Sequence, residues 1–108
     1  MRKLSLDALA REQLEQARSG RGRSATTVFG GHEQTLRQTV MAMVAGSSTG
    51  DHASPGEATL HVLQGRIRLT AGEDSWEGRE GDLLLIPPTN HSVTAVEDAA
   101  ILLTVAKH

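Results

Sequence analysis

Residues 58–72 read ATLHVLQGRIRLTAG, and this stretch decides the fold. Apolar and polar side chains alternate along its first half. A period of two places Leu60 and Val62 on one face of an extended strand and Thr59 and His61 on the other. Gly65 interrupts the run, so the stretch reads as two strands joined as a hairpin. The same period governs the rest of the chain from residue 25 onward. SATTVFG is β-prone, and QTLRQTVMAMVAG alternates through Leu36, Gln38, Val40, Ala42 and Val44. A charged strand surrounds Trp76, GDLLLIPP reads as a buried strand closed by Pro87 and Pro88, and SVTAV and AAILLTVA add two more. Seven or eight short strands with glycines at the joints describe an all-β sandwich or barrel.

The first 24 residues are different in kind. They carry six basic and three acidic side chains, whereas the remainder carries five basic and ten acidic, so the charge changes sign between segment and body. Leu6, Leu9, Ala10, Leu14 and Ala17 recur at helical spacing, which predicts one amphipathic helix. Ser5 is placed to cap it and Gly20 to stop it. SGRGRS, residues 19–24, is expected to be a flexible, solvated connector. The expected organisation is a helix and linker over 1–24 and one β domain over 25–108.

Composition narrows the function. With 108 residues, the chain has the length of a single domain. It has no Cys, which removes disulfides, thiolate-held metals and thiol nucleophiles, and fits a reducing, cytoplasmic setting. No apolar stretch reaches the roughly 18–20 residues of a spanning helix, and the charged N-terminus lacks the apolar region of a secretory signal. A net charge of −2 with one Trp, one Phe and no Tyr offers no platform for stacking bases, so neither membrane nor nucleic acid is an expected partner. No phosphate-cradling glycine loop leads into a helix. The reactive groups left are carboxylates and five histidines: His32, His52, His61, His91 and His108.

Two segments bring histidines together with strand and turn signals: GDHASPGEATLHVLQG (50–65) and GDLLLIPPTNHSV (81–93). Together they resemble the two motifs of the cupin superfamily, in the small, single-domain, cupin-2-like form. The resemblance implies a cupin jelly-roll barrel preceded by the N-terminal helix, and a homodimer paired sheet to sheet. Residue by residue, His52 takes the first histidine position of the first motif. The second falls on Ser54, and the glutamate position on Ala58, with Glu57 one residue early. In the second motif Pro87 is in place, Thr89 stands where glycine is usual, and His91 arrives one residue early. His52 and His91 are therefore the expected metal ligands, with Glu57 and His61 as further candidates and Glu57 also a candidate general base. Ser54, Ala58, Leu60 and Val62 are expected to line the pocket.

An imidazole site with one carboxylate suits Zn, Ni, Fe or Mn. If Leu60 and Val62 face the interior, Glu57 and His61 face away, unless a bulge near Pro55–Gly56 turns Glu57 inward. The expectation is thus a small cupin that takes a divalent metal, a small molecule, or both. The alternatives are a metal-free binding or sensing module and a purely structural dimer subunit. His32 reads as an exposed turn residue, Trp76 as an anchor at a domain end or interface, and Met41 with Met43 as adaptable packing on one strand face.

Overall fold

The computed structural model describes residues 2–53 and 56–107. Helix α1 (Leu6–Ser19) begins where Ser5 accepts a hydrogen bond from the Ala8 amide at 3.2 Å and ends at Gly20. Eight strands follow: β1 (Arg23–Phe29), β2 (Leu36–Met43), β3 (Gly56–Gln64), β4 (Arg66–Ala71), β5 (Asp74–Arg79), β6 (Leu83–Leu85), β7 (Ser92–Ala95) and β8 (Ala99–Lys107). They form a five-stranded sheet in the order β1-β2-β8-β3-β6 and a three-stranded sheet in the order β5-β4-β7. All pairings within them are antiparallel.

The inner faces of the two sheets enclose the main core. Met43, Leu60, Val62 and Ile101 come from the large sheet, and Ile67, Leu69 and Val93 from the small one, all essentially removed from water. Helix α1 covers part of the outer face of the large sheet. Ala10, Leu14 and Ala17 pack there on Ala42 and Ala100, with Val44 and Leu63 alongside. Both faces of β2 are thereby used, Val40 and Ala42 on one side and Met41 and Met43 on the other.

Four expectations need correction. The two sheets form a jelly-roll sandwich but do not close into a barrel. At one margin β6 is three residues long and pairs with β3 alone. It meets β5 through side-chain packing rather than a ladder, for Leu84 fills the space over Gly78 so closely that a Cβ there would stand 2.5 Å from its Cδ1. The strands on either side of Gly65 are not a hairpin. β3 pairs with β6 and β8, whereas β4 pairs with β5 and β7, so Gly65 is the corner where the chain passes from one sheet to the other. A register shift at Val62/Gln64 and a φ of +80° at Gly65 make that corner.

The run GDLLLIPP is not a buried strand. As an edge strand it alternates, with Leu84 inward and Leu83 and Leu85 exposed at 60% and 74%. Nor is 19–24 a flexible connector, because β1 already starts at Arg23. The Gly22 amide donates back to the Ala17 carbonyl at 3.0 Å, with Gly22 at φ +89°, and this closes the helix directly into the strand. Arg23 then donates to the Ser48 carbonyl, Ser24 hydroxyl to the buried Gln13 side chain, and Arg18 to Asp98 at 2.8 Å. Arg23 of the basic segment, and Arg18 just before it, are thereby tied to the body. His32 sits exposed in the turn between β1 and β2, and His108 lies outside the described residues.

Candidate functional site

The chain between β2 and β3 does not loop freely. Residues 46–52 run antiparallel beside the 91–95 segment, with Gly46 donating to Ala95, Ala95 to Ser47, and Thr49 to Val93. At the end of this irregular ladder His52 and His91 exchange both backbone hydrogen bonds at 2.9 Å. Residues paired in this way project their side chains to the same face. The two imidazoles accordingly meet edge to face, with ring centroids 4.6 Å apart and planes at 86°. His52 is exposed while His91 is only 3% exposed, so the pair spans the step from solvent to interior.

His91 is also oriented. Its Nδ1 lies 3.0 Å from the Thr89 carbonyl oxygen. A carbonyl only accepts, so Nδ1 carries the proton, and in the neutral ring Nε2 is left with its lone pair free. A backbone carbonyl that fixes the tautomer of an imidazole is the usual support behind a ligating histidine, and it serves equally well behind a hydrogen-bond acceptor.

Below the pair lies a cavity of about 240 Å³ between the sheets. Its walls are Ala58, Leu60, Ile101 and Leu103 from the large sheet, with Met41 at the floor, Val93 opposite, and Ile86 beside Ala58, to whose carbonyl its amide donates at 3.1 Å. Its polar lining consists of His52, His91, Thr49 and Arg37. The Thr49 hydroxyl already accepts a hydrogen bond from the Val93 amide at 3.0 Å. Arg37 is half-buried on the inner face of β2, in register with Val105 and, through it, with Ala58.

The expected site residues fall into three groups. The structure brings His52, His91, Ala58 and Leu60 to the pocket. Val62 faces the same way but belongs to the packed core beneath rather than to the wall. Ser54 lies outside the described residues, as does Pro55, beside which a bulge was the alternative that would turn Glu57 inward. Glu57 and His61 alternate with Ala58, Leu60 and Val62 and so occupy the outer face of the sheet. Glu57 is exposed there, and His61 stands between Leu83 and Leu102 of the neighbouring strands. Trp76 is half-exposed on the edge strand β5, away from this cavity.

Among the described residues no three His, Asp or Glu side chains come together as a metal-ligand group. Among the described residues the pocket offers two imidazoles and no carboxylate, a set that does not fit a closed metal shell. Groups whose ionisation is displaced lie elsewhere. The Ala45 amide and the Arg18 guanidinium hold the Asp98 carboxyl below its usual range, and Arg68, with Arg66 and Arg79 farther off, does the same for Glu77.

Arg37 is the charged pocket residue that the sequence reading missed, as it also missed Thr49. The signal for Arg37 was its spacing of four from Met41 and six from Met43, which puts it on their face of the strand. The alternation through Leu36, Val40 and Ala42 drew attention to the opposite face, which is the one α1 covers.

The cupin domain model matches residues 39–106 of the chain. No curated protein matches it significantly. Among solved structures, a conserved protein of unknown function from Streptococcus pyogenes is 25% identical, with a TM-score of 0.76 over 99% of this chain and 88% of that one. A cupin superfamily protein from Desulfitobacterium hafniense superposes with a TM-score of 0.73 at 14% identity, over 80% of this chain and 78% of that one. Salicylate 1,2-dioxygenase from Pseudoaminobacter salicylatoxidans, in complex with gentisate, gives 0.75 at 19% identity. The match covers 93% of this chain but 31% of the dioxygenase, so it carries the fold alone. No helix among the described residues is long and apolar enough to cross a membrane. With the motif segments, the two-sheet jelly roll and a family match over most of its length, the chain belongs to the cupin domain family.

Proposed function

We propose that this protein is a small-molecule-binding cupin module whose ligand occupies the inter-sheet cavity under His52 and His91, without a resident metal. The observation that carries the reading is the lining itself: a cavity of about 240 Å³ with mostly aliphatic walls, two adjoining imidazoles and no carboxylate. Concave, largely apolar sites with a few converging polar groups are where proteins hold small ligands. At about 30 Å³ per water the cavity has room for roughly eight waters, or a ligand of similar size.

The test is a nitrogen–proton NMR screen of the full chain against a set of small fragments. Saturable shifts confined to the amides of Met41, Ala58, His91 and Ile101 are expected. A spectrum that no fragment perturbs at these positions would sink the reading.

A second reading has an observation of its own. The anchoring of His91 Nδ1 to Thr89 leaves Nε2 as the ring nitrogen available to a ligand of this pocket-lining residue, as a ligating imidazole requires. In that version His52 and His91 hold a divalent ion (Zn, Ni, Fe or Mn) whose remaining positions are filled by water and ligand. Elemental analysis after reconstitution with each metal decides it. Near-stoichiometric metal, lost in His52→Ala and His91→Ala, supports this second reading, and no uptake leaves the metal-free one.

The assembly belongs to the proposal as well. A second copy of the chain is proposed to cover the outer margin of the large sheet, where Leu83 and Leu85 stand exposed beside His61. Apolar side chains grouped in this way mark association surfaces. Sedimentation of the intact protein at micromolar concentration reads the state, and a monomer there removes the dimer from the proposal.

A further inference from the structure

The cavity is charged in one direction only. Arg37 contributes a permanent positive charge, the two histidines contribute nitrogens, and among the described residues no Asp or Glu reaches the lining. Among the described residues the Arg37 side chain makes no ion pair or hydrogen bond. The other arginines of the body that flank carboxylates, Arg66 and Arg68, both engage Glu77, and Arg18 engages Asp98. A half-buried guanidinium facing aliphatic walls without a counter-charge is costly to hold dry, and an anionic ligand group relieves that cost.

The geometry locates the charge relative to the walls. Arg37, Val105 and Ala58 form one row across β2, β8 and β3, at the end of the sheet where β3 begins after His52. Leu60 with Leu103 and then Met41 with Ile101 form the next rows inward. A ligand entering beside His52 therefore meets the guanidinium first and the aliphatic floor last. That gradient, cationic at the mouth and apolar at depth, selects a molecule with the opposite polarity along its own length.

We infer that the pocket binds a small monocarboxylate with an apolar body, its carboxylate on Arg37 and its body against Leu60, Leu103, Met41 and Ile101. The inference rests on the small-molecule-binding reading and deepens it by naming the ligand's chemical class. Arg is suited to the task because its planar fork presents two parallel N–H donors to a carboxylate. The volume limits the body to about the size of a phenyl ring or a short alkyl chain.

Three probes of one size and different charge test it: benzoate, benzyl alcohol and benzylammonium, titrated into the full-length protein and followed by the amides of Met41, Leu103 and Val105. Benzoate is expected to bind at least tenfold more tightly than benzyl alcohol, and benzylammonium more weakly than either. Arg37→Met, which keeps the length of the stem, should lower benzoate affinity tenfold or more while leaving benzyl alcohol within about twofold. Arg37→Lys should keep the order anion over cation. If benzoate and benzyl alcohol bind alike to the wild type, the charge selection is wrong while the binding-module reading stands. If none of the three perturbs the pocket amides, both fall. The ranking of probes on the wild type reads the charge selection even if Arg37→Met fails to fold.

Discussion

Replacing Gly65 with alanine tests whether this residue is the corner on which the two sheets turn. Its φ of +80° is a conformation that L-residues avoid, at a cost of roughly 1–2 kcal/mol. A Cβ there would also stand 2.1 Å from the Asp98 carbonyl oxygen and 2.9 Å from the Ala99 Cα. Both are backbone atoms at the start of β8, so no side chain can swing aside, and forced backbone shifts of this kind add about 1–3 kcal/mol.

Gly81, the glycine that opens the second motif segment, supplies the control. Its φ is +92°, but nothing lies within 4 Å of its hypothetical Cβ, so Gly81→Ala should cost only the conformational part. An unfolding entropy near 2.1 cal/mol/K per residue makes 1 kcal/mol worth about 4 °C for a chain of this length. Calorimetric scans at pH 7 should then place Gly81→Ala about 4–9 °C below the wild type, and Gly65→Ala about 9–22 °C below. Equal shifts for the two variants would refute the steric argument, since the positive φ they share would account for the whole effect.

Asp98→Asn should destabilise the protein at neutral pH and progressively less in acid. The native carboxyl titrates below its ordinary value of 3.8, so its contribution is present above that pH and disappears as pH falls through the native pKa; urea midpoints from pH 7 down to 3 should converge for the two proteins. Leu14→Ala empties the middle of the contact between α1 and the sheet, where Ala42 and Ala100 are too small to refill it, and should cost about 2–3 kcal/mol in chemical denaturation. A loss below about 1 kcal/mol would mean that the helix is not part of the cooperative unit. Leu85→Glu should split the proposed dimer in sedimentation while shifting the thermal midpoint of the monomer little, because the side chain is 74% exposed in the single chain. Ala58→Glu sets a carboxylate on the row of Arg37; benzoate binding should fall at least tenfold and Ni or Zn uptake should rise above that of the wild type.

Most strands were legible because a period of two persists along them, and the helix because Ser5 and Gly20 bracket a 3.6-residue stripe. Pairing was less legible, for a period says which face a residue takes and not which strand lies beside it. The Gly65 stretch shows this: a glycine between two alternating runs signals a hairpin and an inter-sheet corner alike, and only the backbone of β8 at Asp98 and Ala99 distinguishes them. Leu83–Leu85 misled for the opposite reason. Three consecutive leucines carry no period, and the strand's place at the sheet margin left two of them in water. In the site, the His52–His91 pair was legible from motif spacing. The face taken by Glu57 and His61 followed once Leu60 was placed inside. Arg37 was not, because it lies on a strand distant in sequence from both motif segments and reaches the pocket through β8.

The same substitution bears on both metal and ligand. Ala58 stands where the resembled motif has its glutamate, and it lines the pocket two strands from Arg37. Strand spacing puts those two backbones roughly 9.6 Å apart, within joint reach of a glutamate and an arginine leaning over Val105. A carboxylate at that position would offer a cation a third ligand and would offset the guanidinium. A methyl group does neither. On the proposed reading, the lack of that negative charge weakens the site for a divalent ion and strengthens it for an anion in one step, since among the described residues of the lining Arg37 is the one permanently charged side chain. The two imidazoles are compatible with either outcome, because a histidine ring nitrogen can ligate a metal or, carrying a proton, donate to an anion. On the proposed reading the balance of charge around them decides which, and among the described residues of the lining that balance is positive.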